Sequence, residues 1–173
     1  MTMRGLAAGV MAMAMLGAAA CDDSPTAPDN NTVVFTAAMT SAQEVPAVSN
    51  TEAGATGTAT ITFNLTRSAT NAITAATINF TSTVSNMPAG SSLIRAHIHT
   101  GAAGVAGGVL IDTGLTPGAA ISIVNGAGTL TFNGVSVDAT VAQSILDNPA
   151  GFYFNVHSVL NPGGVVRGQL VRQ

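Results

Sequence analysis

The sequence predicts an all-β protein, an antiparallel Greek-key-like β-sandwich or barrel with one short helix. Three observations support this class. Apolar and polar residues alternate with a period of two through most of the chain, as in strands that bury one face. Glycine and proline separate these runs at short intervals, which is typical of turns between antiparallel strands. A helical period occurs once, between Val137 and Leu146.

The first 32 residues are predicted to precede the folded domain. Residues 1–20 combine Arg4 with an apolar stretch and small residues, which is the pattern of an export signal. Three alanines then lead into Cys21, the chain's one cysteine, and this junction resembles the cleavage site of a bacterial lipoprotein. We therefore expect a lipoprotein signal peptide over 1–20, a lipidated Cys21, a flexible polar tether over 21–32 and one domain over 33–173.

Composition limits the possible partners. The chain carries five basic residues, none of them lysine, against eight acidic ones, for a formal net charge of −3. A nucleic-acid partner is not expected, because neutralising phosphates requires clustered positive charge. If Cys21 is lipidated, the protein contacts a membrane through its N-terminal lipid and lies at the cell envelope, on its periplasmic or extracellular side.

The strands follow from the alternating runs. The predicted spans are Val33–Thr40, Thr56–Thr66, Ala72–Val84, Ile94–Gly101, Val109–Asp112, Ala119–Val124, Thr129–Asn133, Phe152–Val159 and Val165–Val171. The second and third of these are expected to form an antiparallel hairpin. A helix of about two turns is expected after Thr140, which with Gln143 forms a capping box, and it ends at Asn148-Pro149.

The three histidines are the main candidates for chemistry. His97 and His99 are two residues apart in a strand, so they share one face with their Cβ atoms about 6.5 Å apart. His157 lies in a second alternating run. If the two strands are neighbours, the imidazoles form a site whose nitrogen donors suit Zn or Cu, with water or Glu44 as a fourth ligand.

A structural interpretation of the same residues stays open. The histidines and Arg167 would form a buried hydrogen-bonded cluster, in which the guanidinium holds Glu44 bidentately, and such a cluster would require no metal. Enzymatic function is not expected, because the chain has no Gly-x-Ser-x-Gly motif and no evident pair of catalytic carboxylates. Asp138, for example, is interpreted as a local cap or turn residue.

Several segments taken together resemble the CHRD domain family, and the resemblance covers Val33 to Val171. The matching segments are Phe35–Pro46 with its Gln-Glu-Val-Pro ending, Ala96–His99 with the glycine-rich stretch that follows, Phe154–His157, and Pro162–Leu170. One departure is Val165, where the family commonly has an acidic residue.

The resemblance implies a β-sandwich of the immunoglobulin-like or superoxide-dismutase-like kind, and it implies no established activity. We therefore expect a lipid-anchored, non-enzymatic binding or structural module of the cell envelope. The alternative is an envelope metal-binding protein that holds Cu or Zn with His97, His99 and His157.

Overall fold

The computed structural model describes residues 31–173. Cys21, the expected signal peptide and nearly all of the expected tether therefore lie outside the described residues. The described range contains ten β-strands, three short 3-10 turns and one α-helix. The strands are β1 (Thr32–Thr40), β2 (Thr56–Arg67), β3 (Ile73–Ser85), β4 (Ser92–Thr100), β5 (Val109–Asp112), β6 (Ile121–Ser122), β7 (Gly128–Val137), β8 (Phe152–Ser158), β9 (Val166–Gln169) and β10 (Val171–Arg172).

All strand pairs are antiparallel, and the sheet runs in the order β5-β4-β8-β9-β1-β2-β3-β7. The short strands β6 and β10 pair with β4 and β1. The sheet nearly closes into a barrel, because β6 on the β4 side of the sheet leads directly into β7 at the opposite edge. The all-β antiparallel class predicted from the sequence is confirmed, in this barrel form.

The barrel interior is filled by alternate residues of the long strands, as their period of two predicts. Phe35 and Phe63 pack edge to face with ring centroids 5.3 Å apart, and Phe80 stacks with Phe154 at 5.7 Å. All four rings are at most 1% exposed. Because the chain has no tryptophan, these phenylalanines provide the largest apolar side chains of the core.

The helix, α1 (Ala139–Asp147), packs three buried residues against the barrel beside β3. The expected capping box is wrong by two residues. Asp138 is the N-cap, and its carboxylate accepts a hydrogen bond from the Thr140 backbone N–H at 2.7 Å. Gln143 donates to Asp147 instead of reaching back to the first turn. The interpretation of Asp138 as a local cap is confirmed: an aspartate just before the first turn competes well for its free N–H groups.

The predicted hairpin of β2 and β3 is confirmed in full register. Other boundaries moved: the strand expected over Ala119–Val124 is reduced to the two residues of β6, and the next one extends to Val137. The last expected strand divides into β9 and β10, which pair mainly with different neighbours. Among the described residues, no helix has the length and apolar character that crossing a membrane requires.

Candidate metal centre and its neighbouring polar cluster

The outer face of β4, β8 and β9 is polar but buried. Strand pairing places His97 of β4 beside Asn155 of β8, and Asn155 beside Arg167 of β9. The three residues are 4%, 2% and 2% exposed. Their chain neighbours, such as Ala96 and Phe154, point into the barrel core. Alternation therefore assigns these polar side chains to the outside of the barrel, and something else must shield them from solvent.

Loops provide the shield. They are residues 41–55, 101–108 and 159–165. The second loop reaches over His99, whose Nδ1 lies 3.0 Å from the carbonyl oxygen of Gly107. A Cβ atom at position 107 would lie 1.7 Å from the carbonyl oxygen of Thr100. Only glycine permits this approach, so the glycine-rich loop is a structural requirement of the histidine's environment.

The structure brings the three histidines together, as the sequence predicts. One ring nitrogen from each of His97, His99 and His157 lies within 4.8 Å of the other two. The closest pair is Nδ1 of His97 and Nε2 of His157, at 3.0 Å. Among residues 31–173 this group contains no carboxylate, so Glu44 is not brought in as the fourth ligand.

The remaining ring nitrogens fix the tautomers of two histidines. His99 donates its Nδ1–H to the Gly107 carbonyl, and His157 donates its Nδ1–H to the carbonyl of Pro162 at 3.0 Å. In the neutral rings both Nε2 atoms are therefore lone-pair acceptors. The Nε2 atom of His99 is buried and has no hydrogen-bond partner. This is the arrangement in which proteins hold metal-ligating histidines.

His97 contributes the third nitrogen. Its Nε2 lies 3.7 Å from the Oδ2 atom of Asp112, the residue opposite it on β5. Its Nδ1 faces the acceptor Nε2 of His157, so this contact needs one proton, carried on His97 Nδ1. Moving that proton to Nε2, toward Asp112, would give three convergent lone pairs without changing the charge of the site.

All three imidazoles are held in their neutral form. Burial is the main cause: together with the nearby His97, it lowers the pKa of His157 to about 4, against the opposing hydrogen bond to the Pro162 carbonyl. The pKa values of His97 and His99 are also lowered by burial, opposed by Asp112 and by the Gly107 carbonyl respectively. Neutral imidazole is the form that binds metal, so the environment prepares the rings for it.

Arg167 belongs to the adjoining polar cluster and is anchored by aromatic and backbone contacts. Its guanidinium lies 3.6 Å from the centroid of the Tyr153 ring, which also stacks with His99 at 5.0 Å. Its Nη2 donates to the carbonyls of Ala102 and Val105, at 3.3 and 2.9 Å. The bidentate contact expected between Arg167 and Glu44 is not formed; the hydrogen bonds of the guanidinium go to the loop carbonyls instead.

Glu44 is buried next to Arg167 without pairing with it. Its carboxylate approaches Asn155 and Gly164 so closely that a Cβ atom at position 164 would lie 2.6 Å from Oε2. The Oε1 atom has no hydrogen-bond partner. Burial raises the pKa of Glu44 to about 7, and the positive charge of Arg167 only partly opposes this.

Glu52, a residue that sequence analysis missed, ties the covering loops to the sheet. It is 1% exposed and accepts hydrogen bonds from Ser91, Ser158 and Asn161. Asn161 precedes Pro162, whose carbonyl orients His157. A lone glutamate in a stretch of small residues was the available signal. Asp112 was also missed as a partner of His97, because an eight-residue loop does not fix the register of β4 with β5.

Comparison with protein families identifies the CHRD domain, whose model matches residues 35–170. This range includes the three histidines, Glu44 and Arg167. Neither the curated proteins nor the solved structures gave a match.

Proposed function

We propose that this chain, which belongs to the CHRD domain family, is a non-enzymatic binding module of the cell envelope that holds one zinc or copper ion with His97, His99 and His157. The observation that carries the proposal is the buried Nε2 atom of His99, which has no partner, in a group of three histidines that each bring one ring nitrogen within 4.8 Å of the others. A buried acceptor without a partner is costly, and a metal ion would satisfy it.

The donor set suits these metals. Three neutral imidazoles are borderline nitrogen ligands, which favour zinc and copper over the oxygen-preferring magnesium and calcium. The Nδ1 of His97 and the Nε2 of His157 are 3.0 Å apart. Two nitrogens bound to a tetrahedral zinc at about 2.1 Å are separated by roughly 3.4 Å. This value lies between that contact and the 4.8 Å within which all three nitrogens fall, so the rings would have to move to bind the ion together.

Burial supports binding over catalysis. The three histidines are 4%, 6% and 5% exposed. A catalytic zinc keeps a coordination position open to substrate, whereas a site covered by loops restricts access to its fourth position. The fourth ligand is then a small molecule such as water, since the described residues bring no carboxylate into the group.

Location at the envelope is the second part of the proposal, and it depends on Cys21. The alanines before this cysteine and the polar stretch after it favour a lipid anchor and a tether. Replacing Cys21 with serine should move the protein from the membrane fraction to the soluble fraction. Retention of the Cys21→Ser protein on membranes would contradict the anchor and leave the metal site unaffected.

Metal content is the decisive measurement for the site. The protein, purified without a histidine tag and dialysed against zinc or copper, should contain about one ion per chain by elemental analysis. His99→Ala should reduce this to background. Thr60→Ala, on the exposed face of β2, is the control and should retain the ion.

Two results would contradict the metal proposal. One is a protein that stays metal-free after dialysis; the other is a His99→Ala protein with unchanged stoichiometry. If His97→Ala lowers the melting temperature of a protein that binds no metal, the histidines form a purely structural cluster.

A further inference from the structure

A pocket of about 430 Å³ lies beside the polar cluster, between the loop that follows β1, the glycine-rich loop and β9. Two oppositely charged side chains, Glu44 and Arg167, line it, together with Gln169. The other side chains that line it are mostly apolar: Ala38, Ala42, Val45, Ala103 and Val171. None of the three histidines lines this pocket, so it is separate from the metal centre.

The two charges in the pocket do not pair with each other. Glu44 is 8% exposed and Arg167 is 2% exposed. Among the contacts described for residues 31–173 there is no ion pair between these two side chains, although Arg167 is near enough to act on the Glu44 carboxylate through its charge. Opposite charges that are both buried, close together and yet not in contact are an unfavourable arrangement unless another group bridges them.

Each charged group also retains hydrogen-bonding capacity. The Oε1 atom of Glu44 is buried and has no partner. The hydrogen bonds of Arg167 run through Nη2, which leaves the Nη1 and Nε donors for another group. The stacking on Tyr153 fixes the plane of the guanidinium, so these donors are oriented before any ligand arrives.

We propose that this pocket binds a free α-amino acid with an apolar side chain. The ligand's carboxylate would accept from the guanidinium of Arg167, and its ammonium group would donate to the carboxylate of Glu44. Its side chain would contact the apolar wall, which includes Val45 and Val171. A zwitterion places both charges on one carbon, so it bridges a positive and a negative group that are held apart.

This arrangement discriminates strongly against ligands with one charge. An acid without the ammonium group leaves Glu44 unpaired, and an amine without the carboxylate leaves Arg167 unpaired. Losing one charged partner in a buried site is expected to weaken binding by about tenfold or more.

The test is calorimetric titration of the protein at pH 8, where the Glu44 carboxylate is ionised. The probes are L-leucine, 4-methylpentanoic acid, which lacks the ammonium group, and 3-methylbutylamine, which lacks the carboxylate. L-leucine should bind, and each of the other two should bind about tenfold more weakly or not at all. Treatment with chelator should leave the result unchanged, which separates this site from the proposed metal centre.

Variants assign the two contacts. Glu44→Gln should lower the affinity for L-leucine by about tenfold, while the weak affinity for 4-methylpentanoic acid should stay unchanged or increase. Arg167→Lys, which keeps the charge and loses the planar guanidinium, should also lower the affinity for L-leucine. Thr60 lies outside the pocket, so the Thr60→Ala protein should bind L-leucine with the same affinity as the unmodified protein. If Arg167→Lys does not fold, Glu44→Gln alone decides the question.

Three results would overturn the proposal. The first is a folded protein that gives no heat with L-leucine at millimolar concentration. The second is an acid that binds as tightly as L-leucine, which would identify a simple anion site. The third is a Glu44→Gln variant whose affinity for L-leucine is unchanged.

Discussion

The outer surface of the barrel has two faces that follow the same alternation and differ in what covers them. Across β2, β3 and β7, strand pairing aligns Thr60, Thr81 and Thr131 in one row, and all three side chains are exposed. Across β4, β8 and β9 the corresponding row is His97, Asn155 and Arg167, and it is buried. We call them the threonine face and the covered face.

The difference shows that alternation determines which side chains point outward, whereas loops determine whether they meet water. A hydroxyl on the threonine face is solvated in both the folded and the unfolded chain. On the covered face each polar atom needs a protein partner, and backbone carbonyls of Gly107, Pro162, Ala102 and Val105 supply most of them. Substitutions should therefore change the free energy of unfolding strongly on the covered face and little on the threonine face.

The largest effect is expected at Arg167. Arg167→Ala removes the cation–π contact with Tyr153 and leaves the Ala102 and Val105 carbonyls without their donor. We expect the free energy of unfolding to fall by about 3–5 kcal/mol, measured by urea denaturation. Thr60→Ala is the matched change on the threonine face and should cost less than about 0.5 kcal/mol. Equal losses of stability in Arg167→Ala and Thr60→Ala would contradict this difference between the two faces.

Glu44 should make stability depend on pH. Its pKa is raised to about 7 in the folded protein, so the folded state favours the protonated form. Below its unfolded pKa of about 4.5 this carboxyl group is protonated in both states and does not lower the free energy of unfolding. As the pH rises from there through 7, the group ionises more readily in the unfolded state, so the free energy of unfolding falls. Between pH 4.5 and 8 the free energy of unfolding of the unmodified protein should fall by up to about 3 kcal/mol relative to that of the Glu44→Gln variant.

Measuring the two proteins side by side isolates Glu44. The histidines titrate in the same range with the opposite sign, and their contribution cancels in the difference between the two proteins. A difference that stays constant from pH 4.5 to 8 would show that Glu44 is ionised at no cost.

A smaller loss is expected at Glu52. Glu52→Gln keeps the shape of the side chain but replaces one acceptor oxygen with an amide group facing the donors Ser158 and Asn161. Stability should fall by about 2 kcal/mol in urea denaturation. Asp138→Asn makes the same chemical change at the N-cap of α1, where either residue serves, and should leave the free energy of unfolding nearly unchanged.

The same variant tests whether the covering loops support the histidines. Because Asn161 precedes the residue that orients His157, Glu52→Gln should also weaken metal binding by about tenfold. Unchanged metal affinity in a destabilised Glu52→Gln protein would show that the loop holds Pro162 without help from Glu52.

The features that alternation determines could be predicted from the sequence, whereas the contacts that the covering loops make could not. Alternation determined most of the strands and the shared face of His97 and His99. The approach of His157 followed only on the condition that its strand pairs with β4, and the structure supplies that pairing. It did not give the partners of Arg167, because these are carbonyls of a loop whose path depends on tertiary packing. Asp112 and Glu52 were missed for the same reason: their roles depend on strand register and on loop contacts separated by many residues.

The smallest effect is expected within the threonine face itself. Thr60 and Thr81 are directly opposite on β2 and β3, and a double-mutant cycle to alanine should give a coupling energy below about 0.5 kcal/mol, because water replaces any contact they make. The Glu52 and Ser158 pair, whose oxygens are 2.5 Å apart in a buried site, should give about 1–3 kcal/mol in the same measurement. A coupling between the threonines as large as that of the buried pair would mean that burial by loops is not what distinguishes the two faces, and that the row of hydroxyls is itself a cooperative structure.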